Sequence, residues 1–419
     1  MEASRGSWPV SNSKDLDPLI EKIGGARIVL LGEASHGTHE YYTWRSAISR
    51  RLIEEKGFNF IAVEGDWPDC YRVNRYIKGL DNAGKNADEV LKQFNRWPTW
   101  MWANWEVAAL VTWLKDFNSR AGPRKVGFYG LDVYSLWESM EVLVDYLNKM
   151  DPPAARIAEK AMHCFSGARR SEQQYAMQSL SNSCKSEVAR LLKEVRLKAA
   201  AYNHDPEAAL NTTQNAHIAV EAENYYSNMV AFNDNTWNIR DKHMMDSLER
   251  VMRFYGPDSK AIVWEHNTHV GDARYTDMAG SGLFNIGQLA RERYPGNQTF
   301  IVGFGCYSGT VMAGDAWGAP MKEMEVPEAR EGSIEEMLHS ESTHNRLIIT
   351  ANDKRLARTS LHRAIGVVYH PGREHHNYVP SFISKRYDAF MYLDETRAVH
   401  PLHVIPDKYQ VPETYPFEF

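Results

Sequence analysis

The sequence predicts an α/β fold with a three-layer core, in which a mainly parallel sheet lies between helices and a helical insertion covers a cleft. Two observations predict the core. Short apolar runs bounded by glycine or charged residues are typical of buried parallel strands, and helical patterns lie between several of these runs. The insertion is predicted because one long stretch contains no strand candidate. Hydrophobic residues make up 43% and charged residues 24% of the 419 positions, which is typical of a globular protein.

Seven apolar runs are the predicted strands. They are residues 27–31, 58–63, 126–131, 261–264, 299–304, 366–369 and 389–393. Helical patterns cover residues 38–56, between the first two runs, and residues 106–118, before the third. This alternation of strand and helix is the connection that parallel strands require, so we expect a mainly parallel sheet.

The chain is predicted to form one domain, residues 1–419, with the helical insertion at about 151–224. That stretch shows helical periodicity through SEVARLLKEVRLKAAAYN. It is too long for an ordinary loop, so we expect its helices to pack over one end of the sheet and to wall the cleft. The segment 320–342 is acidic, has few large apolar residues and is predicted to be an exposed connection.

The charge and the cysteines limit the classes of partner and compartment. The net charge of -6 gives no support for a nucleic-acid partner, since that binding needs clustered Lys and Arg, and a small-molecule ligand is favoured. The four cysteines form no CxxC pair and are predicted to be free thiols in a reducing compartment. The sequence contains no signal peptide pattern and no run of membrane-spanning length, so we expect a cytoplasmic protein without a membrane partner.

The first predicted strand leads directly into the loop GEASHG, which carries Glu33 and His36. Ligand sites in open α/β sheets lie at the carboxyl ends of strands. In the helix that follows, with Thr38 as its predicted N-cap, Arg45 shares one stripe with the apolar residues Tyr41, Ile48 and Leu52. Arg45 is therefore predicted to point inward, where it needs a carboxylate or an anionic ligand.

Three further strands are predicted to bring ionisable groups to the same edge. Glu64 follows the second strand and Asp132 the third, while the strand at 261–264 is followed by Glu265, His266 and His269. Each group alone is more simply a helix cap, a solvated acid or a satisfied histidine. Their coincidence at one edge favours an active site.

The chemistry predicted for this edge is proton transfer by histidine. The pattern GxSxG of serine esterases does not occur, so no side-chain nucleophile is favoured. A histidine can remove a proton from water while a carboxylate holds its tautomer, and His36 with Glu33 or Glu64 fits this role. Arg45 or His266 is the predicted stabiliser of the oxyanion.

A metal centre is the sharpest alternative to metal-free catalysis. His36 and His39 are three residues apart, as are His266 and His269, and the acids that could complete such a site are Glu64 and Asp66. The motif HExxH is absent and nothing fixes a complete ligand set. No metal ligand is therefore assigned, and no cofactor is expected.

Taken together, the motifs LGEASHGTHEYYTWRSAI, FIAVEGDWPD, WMWANWEV, GLDVYSLWESM, NTWNIRDKHM and VWEHNTHVGD resemble the erythromycin esterase family over most of the chain. The resemblance implies a parallel α/β core with a helical domain and a catalytic histidine that acts as general base on water. On matching positions it makes His36 the base, surrounds it with Glu33, Arg45 and Glu64, and makes His266 the second essential histidine. It also implies that His269 lies nearby and that the tract 225–243 supplies one wall of the cleft.

The predicted function is hydrolysis of a carboxylic ester, such as a macrolide lactone, without a cofactor. The residues predicted to contact the substrate are His269, Trp67, Trp105, Asp132, Arg240 and Arg274. For the tryptophans, including those of RWPTWMWANWEV, a role in core packing is equally consistent with the sequence. Two rival functions stay open: a metal-dependent hydrolase of another ester or phosphoester, and a non-catalytic haem- or iron-binding protein.

Overall fold

A computed structural model describes residues 6–80, 83–122, 125–168, 170–203, 205–230, 236–407 and 410. The strands in these ranges are β1 Ser7–Pro9, β2 Ile28–Leu31, β3 Phe60–Val63, β4 Gly127–Gly130, β5 Ala261–Trp264, β6 Thr299–Ala313, β7 Lys322–Val326, β8 Arg346–Ile349, β9 Thr359–Arg363, β10 Tyr378–Phe382 and β11 Ala389–Thr396. The α-helices are α1 Asp17–Ile23, α2 His39–Lys56, α3 Trp67–Lys78, α4 Ala87–Leu91, α5 Trp105–Arg120, α6 Leu136–Met150, α7 Pro152–Cys164, α8 Glu172–Ser179, α9 Lys185–Lys198, α10 Ala208–Met229, α11 Thr236–Tyr255, α12 Asn267–Val270, α13 Ile286–Arg293, α14 Ile334–Glu341 and α15 Ile383–Arg386.

The main sheet has nine strands and is mainly parallel, as predicted. Its order is β1-β8-β11-β6-β2-β5-β3-β4, with β7 paired to the long β6. Strands β11, β6, β2, β5, β3 and β4 run parallel, while β1, β7 and β8 pair antiparallel. The carboxyl ends of β2, β5 and β3 therefore lie side by side, which positions the residues that follow them.

Helices cover both faces of the sheet because its central strands are apolar throughout. Every residue of β2, β3, β4 and β5 is buried. Alternate residues face opposite sides: Ile61 and Trp264 join a core with α2, α3 and α5, whereas Ala62 and Val263 join a second core with α11 and α13. The arrangement is the predicted three-layer core.

The stretch predicted as a helical insertion is helical: α7, α8, α9 and most of α10 lie within residues 151–224. These helices and α6 enclose a third apolar core. Two contacts fix their place: Asn211 accepts a hydrogen bond from the Trp67 indole, and the Tyr226 hydroxyl donates to the carbonyl of Tyr134. Because Trp67 and Tyr134 follow β3 and β4, the helices lie over the carboxyl ends of these strands.

The prediction of four free thiols is wrong for two of them. A disulfide joins Cys164, at the end of α7, to Cys184, which precedes α9. Cys70 and Cys306 are buried and are not part of a disulfide. The disulfide links two helices of the third core. It could not be predicted from the sequence, because a spacing of 20 residues is not a recognisable disulfide motif.

Two predictions of secondary structure are also wrong. Residues 366–369 form no strand; Val368 makes a single bridge to Gly314, and the apolar side chains of the run pack against the core without joining the sheet. Residues 320–342 are not simply a connection, because they contain β7 and α14. The buried Ile334 and Leu338 anchor α14, and two apolar residues one turn apart suffice for that in an otherwise polar segment.

Within the ranges described, no helix combines the length and the apolar character that crossing a bilayer requires.

Candidate active site

The loop GEASHG connects β2 to α2 and needs glycine at both of its ends. A Cβ atom on Gly32 would lie 2.1 Å from Oδ1 of Asn267, and one on Gly37 would lie 1.9 Å from the carbonyl oxygen of Met312. The backbone is held there by hydrogen bonds from the Asn267 N–H to the Glu33 carbonyl and from the Met312 N–H to the Gly37 carbonyl. This close packing fixes the direction in which the side chains between the glycines point.

His36 lies in this loop and is hydrogen-bonded to Glu33, the residue three positions before it. Its Nδ1 lies 2.9 Å from Oε1 of Glu33, and the other oxygen of that carboxylate accepts a hydrogen bond of 2.5 Å from Arg45. An ionised carboxylate accepts the Nδ1 proton, which leaves the lone pair of the neutral ring on Nε2. Of the two acids considered from the sequence, Glu33 is therefore the partner of His36.

Arg45 is fully buried on α2, in the stripe predicted for it. Its guanidinium lies between the rings of Tyr42 and Trp264, 4.6 Å from each centroid. Only one of its nitrogens is hydrogen-bonded, since Nε and Nη1 have no partner among the described residues. Aromatic faces and one carboxylate thus hold the charge in place of a full set of acceptors.

His266 follows β5 and faces His36, with ring centroids 5.0 Å apart and a tilt of 41°. It caps the N-terminus of α12: its Nδ1 accepts from the Thr268 backbone N–H and lies 2.8 Å from the Thr268 hydroxyl. A backbone N–H can only donate, so Nδ1 carries the lone pair and the proton of the neutral ring lies on Nε2. Burial, reinforced by the nearby His36, lowers the pKa of His266 well below its usual range and keeps it neutral.

The two facing rings therefore present opposite functions. Nε2 of His36 is an acceptor and Nε2 of His266 is a donor, and each is buried without a hydrogen-bond partner among the described residues. Unpaired buried polar atoms are costly, and a matched donor and acceptor side by side are typical of a place where a reacting group binds.

A second arginine cluster lies at the ends of β3 and β4. Arg240 of α11 donates to both oxygens of Asp132, to Oε1 of Glu64 at 2.7 Å and to Nε2 of His269 at 3.0 Å. The other oxygen of Glu64 accepts from the backbone N–H of His266 at 2.9 Å. Burial raises the pKa of Glu64, but its electrostatic interactions with His269 and Arg240 outweigh this effect, so its pKa lies well below its usual range.

His269 links this second cluster to α11. Its Nδ1 is hydrogen-bonded to Asp241 at 2.9 Å, and its ring stacks on Trp237 at a centroid distance of 4.5 Å. With Nδ1–H donated to a carboxylate and Nε2 accepting from Arg240, both nitrogens are used. His269 thus has no free atom for proton transfer, in contrast to His36.

Glu265 is a buried acid that the sequence analysis brought to this edge of the sheet but to which it gave no catalytic or binding role. It follows β5, and neither of its carboxyl oxygens has a hydrogen-bond partner among the described residues. Burial, reinforced by the nearby charge of Glu64, raises its pKa well above the usual range. The signal for it was its position at a strand end, which it shares with Glu64 and Asp132.

The model of the family described as erythromycin esterase matches residues 53–396. A relative, erythromycin esterase type II of Escherichia coli, is 25% identical in an alignment 379 positions long, which covers 82% of this chain and 85% of that protein. The putative hydrolase YbfO of Bacillus subtilis is 23% identical over 71% of this chain and 69% of its own length. The family match covers most of the chain. The chain belongs to the erythromycin esterase family.

Solved structures agree with this membership at the level of the fold. A mutant of the erythromycin esterase EreC in its open conformation superposes with a TM-score of 0.69 at 19% identity, covering 92% of this chain and 95% of that one. A succinoglycan biosynthesis protein gives a TM-score of 0.77 at 20% identity over 94% and 96% of the two chains. Membership of this family, whose relatives are named as esterases and hydrolases, identifies this chain as a hydrolase. The match to the family model begins after the loop that carries His36.

Three of the residues that the sequence analysis predicted to contact the substrate lie outside the two clusters. Trp67 is buried and stacks between Tyr71 and Tyr129. Trp105 starts α5 and is 57% exposed, while Arg274 pairs with Asp272. The other predicted residues meet in the two clusters already described.

The aromatic segment RWPTWMWANWEV has the structural role that the sequence left open. Trp97, Trp100 and Trp102 are all buried in the core around α2, α3 and α5. The Trp102 indole donates to the carbonyl of Glu64, which ties this core to the end of β3. The three buried rings therefore pack beneath the end of β3, and of the tryptophans in this segment only Trp105 is exposed.

The groups considered as a metal centre do not gather at one point. His39 is hydrogen-bonded to Glu106, Asp66 to Arg96, and Glu64 to Arg240. In the ranges described, the three-residue set with metal-ligand geometry is His39, Glu106 and His400. It lies apart from the facing histidines.

Proposed function

We propose that this chain hydrolyses a carboxylic ester, such as a macrolide lactone, with His36 as the general base that activates water. The single observation that carries the proposal is the pair of unpartnered Nε2 atoms on facing rings, one with a lone pair and one with a proton. Hydrolysis of an ester needs both an acceptor for a water proton and a donor for the oxyanion.

In the proposed reaction, Nε2 of His36 takes a proton from water as its oxygen attacks the carbonyl carbon. The imidazolium that forms is stabilised by Glu33, which accepts from Nδ1. The tetrahedral intermediate then loses its alcohol: the carbon–oxygen bond breaks, and the leaving alkoxide takes the proton from Nε2 of His36. The products are a carboxylic acid and an alcohol.

His266 is the proposed oxyanion donor because its neutral ring presents N–H at Nε2. Its lowered pKa means that it donates a hydrogen bond without giving up or gaining a proton. Arg45 holds the Glu33 carboxylate and adds a positive charge close to the developing negative charge. No cofactor is required for these steps, because the chain itself supplies the base, the donor and the fixed charges.

Access to the site needs movement of the elements that cover it. His36 and His266 are at most 1% exposed in this structure, whereas the sequence predicts a cleft at this edge of the sheet. An ester can therefore reach the two rings only when the elements that cover the carboxyl ends of β2 and β5 move aside. The proposal also includes a small-molecule substrate and a cytoplasmic location, as expected from the sequence.

The test is hydrolysis of erythromycin and of 4-nitrophenyl esters by the full chain before and after exhaustive chelation. We expect lactone or ester cleavage that survives chelation, and a loss of about 10²–10⁴-fold in kcat/KM for His36→Ala. The matched control is His339→Ala, because His339 also pairs with a carboxylate, that of Asp394, but lies outside the cluster. Full activity in His36→Ala excludes the proposed base.

Two further results of the same experiment address the rival functions. Activity lost only on chelation, together with stoichiometric metal in the purified protein, favours a metal-dependent hydrolase. A Soret band on titration with haem, without hydrolysis of any ester in the panel, favours a binding protein.

A further inference from the structure

His39, Glu106 and His400 come from three separate segments and converge at the surface. His39 is the first residue of α2, Glu106 lies in the first turn of α5, and His400 follows β11. The backbone already joins the segments: the His39 N–H donates to the Arg397 carbonyl, and the Trp105 N–H donates to the His400 carbonyl. The three side chains are therefore brought together by the fold itself.

Both imidazoles direct Nδ1 at the same atom. Oε1 of Glu106 lies 2.6 Å from Nδ1 of His39 and 2.5 Å from Nδ1 of His400, and the rings stand edge to face with centroids 5.2 Å apart. The three ligand atoms all lie within 4.8 Å of one another. We propose that His39, Glu106 and His400 bind a divalent transition-metal ion of the zinc class.

The ligand types and distances fit such an ion. Two imidazole nitrogens and one carboxylate oxygen are an established ligand set for an open zinc site, in which water takes the fourth position. At Zn–N and Zn–O distances of about 2.0–2.2 Å, tetrahedral ligand atoms lie roughly 3.4 Å apart. The nitrogen–oxygen contacts must therefore lengthen by about 0.8 Å, which a small rotation of two partly exposed rings achieves.

The surroundings allow an ion to enter and hold the carboxylate in position. The side chains of His39 and His400 are 22% and 61% exposed, while that of Glu106 is 3% exposed. The backbone N–H of His400 also donates to the Glu106 carboxylate, as an outer-shell group should. A neutral imidazole can carry its proton on Nε2 instead of Nδ1, which leaves the Nδ1 atoms of both rings available to bind the ion.

The site is distinct from the catalytic cluster and has a different consequence. His39 and His400 are hydrogen-bonded to Glu106, whereas Tyr42, three residues after His39, contacts the catalytic cluster: its hydroxyl donates to the His36 carbonyl and its ring covers Arg45. An ion bound by His39, Glu106 and His400 fastens the segment after β11 to the first turns of α2 and α5. Because only the folded chain assembles the three ligands, zinc is expected to stabilise it against unfolding. This proposal does not depend on the proposed ester hydrolysis.

The experiment is titration of the metal-free full chain with Zn²⁺ by calorimetry, and with Co²⁺ by visible absorption. We expect one equivalent of Zn²⁺ and d–d bands of Co²⁺ bound by nitrogen and oxygen. Loss of an outer-shell partner alone weakens metal binding 10–100-fold, so His400→Ala and Glu106→Gln are expected to weaken it by at least about 100-fold. Zinc should raise the Tm of the wild type and not that of these variants.

The matched control is the double variant His375→Ala/His376→Ala. These two rings are exposed and lie 3.9 Å apart, so they test adventitious binding by neighbouring surface histidines. His36→Ala tests binding at the catalytic histidine in the same way. Unchanged affinity in His400→Ala and Glu106→Gln, or loss of the single equivalent in either control, overturns the proposal, as does the absence of stoichiometric binding in the wild type.

Discussion

The carboxyl edge of the sheet carries two arginine clusters that are equally buried but differ in their hydrogen bonding. Every nitrogen of Arg240 has an acceptor, and its partners Glu64 and Asp132 use both of their oxygens. Within the part of the chain that the structure describes, Arg45 uses one nitrogen, and the Nε2 atom of its neighbour His36 has no hydrogen-bond partner. Both arginines are 0% exposed.

This difference indicates a structural role for the Arg240 cluster and a role in the reaction for the Arg45 cluster. A fully satisfied network is rigid and has no free atom with which to bind or to exchange protons, so the Arg240 cluster acts as a scaffold for the ends of β3, β4 and α12. The Arg45 cluster leaves an acceptor free beside the donor on His266. The comparison predicts that changes in the first cluster reduce stability and that changes in the second reduce activity.

Replacing each arginine with methionine tests this division directly and has the largest expected effect. Arg240→Met leaves Glu64 and Asp132 buried without their cation, and we expect the free energy of unfolding to fall by about 3–5 kcal/mol. Arg45→Met leaves only Glu33 buried without its cation, so the loss of stability should be smaller. It misplaces the Glu33–His36 pair, however, and kcat/KM should fall by about 10²-fold or more.

Urea unfolding and ester hydrolysis measure the two quantities on the same preparations. Arg240→Lys serves as the milder variant if Arg240→Met does not fold, because it keeps a charge and loses the planar fork. Equal losses of stability in the two methionine variants, with equal losses of activity, would contradict the division between scaffold and active cluster.

Replacing His266 sharpens the comparison inside the active cluster. His266→Phe keeps a ring of similar shape but removes the Nε2 donor. We expect kcat to fall by about 10²–10³-fold with little change in KM, because the oxyanion exists only in the transition state. Thr268→Val is the matched control: the backbone N–H that fixes the tautomer remains, so the loss of one neutral hydrogen bond should cost less than roughly tenfold. An unchanged kcat in His266→Phe would assign the oxyanion to another group.

Much of this edge could be predicted from the sequence. Buried parallel strands appear as short apolar runs, and their carboxyl ends lie at the same edge of the sheet. Six of the seven predicted strands are present, and the apolar run 261–264 matches β5 at both ends. The inward direction of Arg45 followed from helical periodicity alone. Edge strands such as β1 and β7 were missed because they are short and partly exposed, so their composition resembles that of a loop.

What the sequence could not provide depends on three-dimensional contacts between distant segments. Nothing in the spacing distinguished Glu33 from Glu64 as the partner of His36; the packing of the GEASHG loop decides it. The tautomer of His266 depends on its role as a helix cap, and the burial of Trp67 depends on α3 packing under α10. Likewise, His39 and His400 are 361 residues apart in sequence, and only the fold brings them to Glu106.

The last test compares two neighbouring acids whose pKa values move in opposite directions. Glu64 and Glu265 follow adjacent strands, but the pKa of Glu64 is lowered by His269 and Arg240 against the effect of burial, whereas that of Glu265 is raised by burial and by Glu64. Folding therefore favours the ionised form of Glu64 and the protonated form of Glu265. The two glutamine variants should respond to pH with opposite signs.

For Glu265, the stabilising proton is present below the unfolded-state pKa near 4.5 and is lost as the pH rises towards the folded-state value. Glu265→Gln stays neutral, so its free energy of unfolding should rise relative to wild type between about pH 5 and 8, by about 1.4 kcal/mol per pH unit at most. For Glu64, the stability is present above about pH 4.5 and is lost on acidification, so Glu64→Gln should cost most at neutral pH and less in acid. Urea unfolding between about pH 5 and 8 measures the slope for Glu265, and urea unfolding below about pH 4.5 measures the slope for Glu64. If the two differences from wild type change in the same direction with pH, the opposite ionisation of the two acids is wrong.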